Sequence, residues 1–254
     1  MTVPVAIRAP AERRVVAATM GPTVHELHAW RFAVAPGVIE LHADPVRFRP
    51  SSDPVGRGLR ISSGAALVNL RLAAAQLGHE AVVRLLPDAA RPSVLASVRL
   101  AGRHRTTSEE RLLYAAALKP FRAERAEGAT APSGHVLKVL GEAARLEGAA
   151  LHPLPSAHGT VGQRAALTTP GDSPTEWLRA GQALQRLLLN GIIHAVSASF
   201  SYLTHDVHGL EETARPGEVA QVLLVLAQQD TGPRLLKPSV GGQHERQGHW
   251  ERIG

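Results

Sequence analysis

Two short histidine clusters are the first places in this sequence where side-chain chemistry could reside. His25-Glu26-Leu27-His28 sets two imidazoles and a carboxylate within four positions. A zinc-protease helix needs two residues between the glutamate and the second histidine, so that both imidazoles share one face. Only Leu27 intervenes here, so the zinc-protease reading is set aside. His205-Asp206-Val207-His208 offers the same ligand types, but a metal site needs three or four convergent ligands. The cluster reads as a solvated loop, and no metal is assigned to either site. The chain has no cysteine, which excludes disulfides, thiolate metal sites and cysteine nucleophiles. It also lacks a GxGxxG turn, a phosphate-binding loop and a GxSxG nucleophile turn. No side chain is singled out as catalytic.

The elements that would position such groups belong to a mixed α and β protein. At 254 residues the chain can bury a core as one large domain or as two fused smaller ones. Hydrophobic residues make up 44% and aromatic residues 4%, so the core must be aliphatic. The most apolar run, Leu187 to Val196, contains Asn190 and His194 and is too short to span a bilayer. The first residues lack a hydrophobic signal core, and together with the missing cysteines this fits a cytoplasmic protein without a membrane partner. The net charge is +6, and only Lys119, Lys138 and Lys237 among the 28 lysines and arginines are lysines. The arginines are scattered and no aromatics are interleaved for base stacking, which argues against a nucleic-acid partner.

Along the chain, residues 10–20 read as a short helix with Val15, Val16 and Met20 on one side. Trp30–Ala35 and Val38–Ala43 flank Pro36-Gly37 and read as a β-hairpin. Residues 44–60 read as a loop, and Ser62 or Ser63 is expected to cap a helix that runs to Gln76 and closes at Gly78. Ala81–Leu86 alternates as a strand, while Val94–Leu100 is left open between helix and strand. Thr107 and Glu110 form a capping box for a helix through Leu118, and 121–133 read as a charged loop. A helix over His135–Leu146 and a short strand near Ala149–His152 follow. Residues 153–172 read as a linker. Ser173-Pro174-Thr175-Glu176 is the clearest helix start, with the helix expected to reach Ala195. Trp177, Gly181, Leu184, Leu188 and Gly191 share one face of it, and Glu218–Ala227 reads as an apolar strand. Gly64-Ala65-Ala66-Leu67-Val68-Asn69-Leu70 echoes Gly181-Gln182-Ala183-Leu184-Gln185-Arg186-Leu187, a faint sign of internal repetition.

Three longer segments resemble the FMN-binding nitroreductase family. Residues Gly21-Pro22-Thr23-Val24-His25-Glu26-Leu27-His28-Ala29-Trp30-Arg31-Phe32 are similar to the family's Pro-Ser-x-x-Asn-x-Gln-Pro-Trp segment. Ile61–Leu72, with Arg84-Leu85-Leu86-Pro87-Asp88, and Pro170–Leu184 resemble its Acg-type branch. The resemblance implies an α+β nitroreductase-like fold. Two fused half-modules, 1–105 and 106–240, would form a pseudo-dimer with central, mainly antiparallel sheets flanked by helices, and 241–254 would be a flexible tail. It further implies FMN between the halves, with NADH or NADPH as electron donor to a small nitro or quinone substrate. The chain would act as a monomeric pseudo-dimer or a homodimer.

The cofactor-binding residues that the resemblance implies are Thr23, His25, His28, Arg122, Arg234 and Lys237. Several positions depart from the family pattern. Glu26 stands where the family has Asn, and a carboxylate facing flavin carbonyls is repulsive. Ala195 replaces a glycine after the histidine of the long helix, and Tyr202-Leu203 replace an Asn-Gln pair. An arginine-rich phosphate-gripping stretch after Leu118 is missing, with Lys119, Arg122 and Arg125 as its nearest substitutes. The expectation is a weak NAD(P)H-dependent oxidoreductase or flavin-holding protein. The alternative is a degenerate, non-catalytic binding or scaffold protein that has lost the flavin site.

Overall fold

The computed structural model describes residues 11–19, 29–35, 37–51, 53–119, 129–155, 161–202 and 214–228. Helix α1 (Ala11–Thr19) leads into the hairpin β1 (Trp30–Ala35) and β2 (Val38–Ala43), paired from Trp30 opposite Ala43 to Ala35 opposite Val38. Helix α2 (Arg57–Gln76) and strands β3 (His79–Leu85) and β4 (Val94–Arg103) complete a four-stranded antiparallel sheet, ordered β1-β2-β4-β3. Helices α3 (Ser108–Ala117) and α4 (Gly134–Arg145) follow. Next come β5 (Ala150–Pro153), β6 (Gln163–Thr169), α5 (Pro174–Ile193), β7 (Val196–Tyr202) and β8 (Val219–Gln228). The second sheet is also antiparallel and ordered β5-β6-β8-β7. The molecule is therefore an α+β protein with two antiparallel sheets.

The two sheets repeat one strand order, and the repetition is in register around the long helices. Arg57 and Pro174 open α2 and α5, Gly78 and Ala195 follow them, and Leu85 and Tyr202 end the next strands, each pair a constant 117 positions apart. Both helices have 20 residues and both following strands have 7. The echo between residues 64–70 and 181–187 is the centre of this longer correspondence.

The two helices lie against each other without intervening side chains at their crossing. A Cβ on Gly64 would run into the carbonyl oxygen of Leu178, and one on Gly181 into that of Ile61. Glycine is required at both positions because backbone meets backbone there. Contacts advance in the same direction along both helices: Arg57 reaches Asp172, Gly64 meets Leu178, and Gln185 Nε2 donates to Asn69 Oδ1 at 2.9 Å. The helices thus run parallel, with both amino termini at one end. Each packs on its own sheet. Leu67 and Leu70 join Ile39, Leu41, Leu95 and Val98 in one cluster; Trp177, Leu184 and Leu187 join Leu167, Val222 and Leu224 in the other.

Several sequence expectations need correction. α2 begins at Arg57, not at Ser62 or Ser63. Both serines are buried in the helix, and Ser62 Oγ donates back to the Leu59 carbonyl at 2.9 Å. The cap position is Gly56, at φ 70° and without a side-chain cap; the Asp53 carboxylate accepts from the Leu59 amide at 2.8 Å instead. The supposed linker 153–172 contains β6, whose Ala165, Ala166 and Leu167 are fully buried. The Pro, Gly and Ser residues at its ends hid that short apolar run. Val94–Arg103 is a central strand, and Val196–Tyr202, unassigned in the sequence reading, is an edge strand. α5 closes at Ile193 rather than Ala195, and Glu176 bonds Arg179 at 2.6 Å instead of completing the box. The Thr107–Glu110 capping box is present in full.

Candidate functional site

The polar groups nearest the shared helix ends gather where the amino termini of α2 and α5 meet. Asp172 precedes the Ser173 cap of α5 and accepts from Arg57 Nη2 at 2.5 Å and from Trp177 Nε1 at 2.5 Å. Gln221, fully buried on β8, accepts from Arg57 Nη1 at 3.0 Å. Its amide nitrogen donates to Thr169 Oγ1 at 2.9 Å and to the Gly171 carbonyl at 3.1 Å. The Arg57 and Arg60 guanidinium carbons lie 5.3 and 5.6 Å from the Trp177 ring centroid, within cation–π range. Arg60 and Trp177 are themselves 117 positions apart, so the stacking joins corresponding residues of the two helices.

The electrostatics of this corner balance internally. Two parallel helix ends bring two partial positive charges together, and carboxylates are favourable there. Asp53 serves α2 and Asp172 stands before α5. Burial lowers the Arg60 guanidinium against an opposing pull from Asp53. Burial, reinforced by Asp53, pushes the Tyr202 phenol up and holds it neutral. Tyr202 closes the corner from β7, 3.7 Å from where a Cβ on Gly58 would stand. The cluster positions the two helix ends and ties them to β8.

A second polar cluster lies on the second sheet. His152 Nε2 is 2.7 Å from Glu218 Oε2 and 3.1 Å from Thr168 Oγ1. Burial alone would raise the Glu218 carboxyl. The Arg215 amide, His152 and the Thr168 hydroxyl outweigh it and hold the group below the ordinary carboxylate range. Among the described residues no three His, Asp or Glu side chains gather as a metal would require.

Thr23, His25, His28, Arg122, Arg234 and Lys237, the cofactor-binding residues expected from the sequence, all lie outside the described residues, as do Glu26, Arg125 and Leu203. Of the departures that are described, Ala195 has φ 56°, a left-handed conformation that glycine adopts without strain. Trp177 is a core anchor, 8% exposed. His194 caps the carboxyl end of α5 through its amide. Arg57, Asp172 and Gln221 were missed in the sequence. Gln221 carried a usable signal, since a lone amide in an apolar strand must find partners. Asp172 carried another as an acid just before a helix cap.

No family model matches the chain. Two proteins from two strains of Mycobacterium tuberculosis, each carrying the name "Putative NAD(P)H nitroreductase", are 39% identical to it over 71 residues. The matched stretch is 28% of this chain and 21% of each relative, so the chain matches about a fifth of the length of these relatives. Among the described residues no helix is long and apolar enough to cross a membrane.

Proposed function

We propose that this chain is an FMN-binding flavoprotein of the Acg-type nitroreductase kind, built as a pseudo-dimer from half-modules at 1–105 and 106–240. The observation that carries the reading is the in-register repeat of helix, left-handed cap and strand, with reciprocal glycines at the α2–α5 crossing. Two repeated helix–strand segments in tight backbone contact fit a flavin shared between two halves. The similarity to proteins named as NAD(P)H nitroreductases supports the same reading. Bound flavin would supply two-electron transfer from NADH or NADPH to a nitro compound or quinone. Thr23, His25 and His28 are the candidates for its ring, and Arg122, Arg234 and Lys237 for its phosphate. Natively purified protein, incubated with FMN and gel-filtered, is expected to retain flavin absorbance at about one equivalent. A protein that stays colourless and shows no rise in melting temperature overturns the reading.

One observation favours a second reading, a binding or scaffold protein that has lost the flavin. Tyr202 stands where the resemblance places an amide, and its neutral phenol is buried beside Asp53. Stoichiometric FMN surviving purification would rule this out. Anaerobic bleaching by NADH or NADPH would then separate an oxidoreductase from a flavin holder.

A further inference from the structure

A surface groove of about 420 Å³ runs between α4 and α5 and ends at Glu109 of α3. Its size falls within the range of small-molecule sites. The α4 wall is one helical stripe. Val139, Ala143 and Leu146 supply its apolar part, and His135, Lys138 and Glu142 its polar edge. The opposite wall is Arg186 and Asn190 of α5, one turn apart. Leu146 is 54% exposed although it lines a concave surface, which leaves apolar area for a ligand to cover.

Lys138 and Arg186 in the groove's lining balance Glu109 and Glu142, and the neighbouring Arg71, Arg145 and Glu147 leave one positive charge in excess. Glu142 is engaged by Arg145 through contacts of 2.8 and 2.6 Å. Glu109 accepts from Arg186 Nη2 at 2.9 Å. The buried Glu147 is shared, receiving Arg71 Nη1 at 2.8 and 3.0 Å and Arg186 Nη1 at 3.4 Å. Arg186 Nε is left buried without an acceptor. All three carboxylates are thus committed to arginines. Lys138 is exposed at the groove with no ion pair or hydrogen bond among the described residues. A concave surface with an apolar wall and an ammonium unpaired among the described residues complements a molecule with an apolar body and one negative charge.

We propose that this groove is a binding site for a small organic monoanion with an apolar body, held by Lys138 over Val139, Ala143 and Leu146. The site is separate from the flavin reading and does not depend on it. The test is calorimetric titration of the full chain with 1-naphthoate, alongside its neutral counterpart 1-naphthamide. One equivalent of naphthoate is expected to bind, with affinity falling as salt is raised. Lys138→Glu is expected to weaken binding at least tenfold and Lys138→Arg to preserve it. Ala143→Trp, which fills the groove, should abolish it. Arg99→Glu, on the outer face of the first sheet, serves as a distant control and should change nothing. Lys138 and Arg99 are exposed, so those variants keep the fold testable if Ala143→Trp does not fold. Absence of naphthoate binding, equal binding by Lys138→Glu, or equal affinity for naphthamide each overturns the proposal.

Discussion

The α2–β3 and α5–β7 segments match in length and register yet differ at nearly every device that starts or stops them. α5 opens on Ser173, whose hydroxyl accepts from the Glu176 amide, with a proline inside the first turn. α2 opens on a left-handed Gly56 and takes its acceptor from Asp53. α2 is followed by Gly78 at φ 79°, α5 by Ala195 at φ 56°. What agrees is the pair of glycines where backbone touches backbone. Helix ends can be satisfied in several equivalent ways, whereas a crossing with no side chains between the helices admits only glycine. The segments therefore differ in how their ends are satisfied and agree at the two glycines of the crossing.

The strongest test of this correspondence is at the crossing. Gly64→Ala and Gly181→Ala each insert a methyl group against a carbonyl of the other helix. Each is expected to lose about 3 kcal/mol of stability, well beyond the propensity gain of about 1 kcal/mol for removing a helical glycine. Once one methyl has forced the helices apart, the second should cost less, so the double variant should fall short of the sum by about 1 kcal/mol or more. Chemical denaturation measures all three. If one substitution proves harmless, the reciprocal arrangement is wrong.

A smaller and opposite pair of effects is expected just past the helices. Ala195→Gly relieves a left-handed alanine and should gain about 1 kcal/mol, whereas Gly78→Ala should lose about the same amount. Thermal melts of the two variants should therefore move in opposite directions. Equal signs would mean that the two caps are not equivalent.

The smallest effect separates the two sheets by pH. Glu218 is held below its ordinary range by Arg215, His152 and Thr168 against the effect of burial. Glu40 of the first sheet is held down first by its hydrogen bond to Arg91, and further by His42. A carboxyl lowered in the folded state contributes stability above its unfolded value of about 4.5, and that stability is lost as pH falls through the folded value. Glu218→Gln should thus cost about 1 kcal/mol at pH 7 and less at pH 3. Glu40→Gln should change less, because Arg91 is 52% exposed and its pairing is screened. Denaturation at the two pH values checks the order.

Much of this architecture was legible in the sequence because local chemistry agreed with the final packing. The β1–β2 hairpin, the Thr107–Glu110 box and the start at Ser173 were found where turn and cap residues announce themselves. β6 and the first turn of α2 were missed because their signals are tertiary. Ala165 and Ala166 form a strand only because β5 and β8 flank them, and Arg57 enters the helix with a cap supplied from Asp53. The site was legible only in part. The resemblance pointed to residues outside the described ones, while the Arg57–Asp172–Gln221 network joins groups 115 and 164 positions apart. No local pattern reports such a separation.

The parallel crossing also sets a timetable for synthesis. The face of α2 around Gly64 is completed only when Gly181 has been made, 117 residues later. At about 5–20 residues per second, an emerging chain carries Gly64 without its partner helix for roughly 6–23 s.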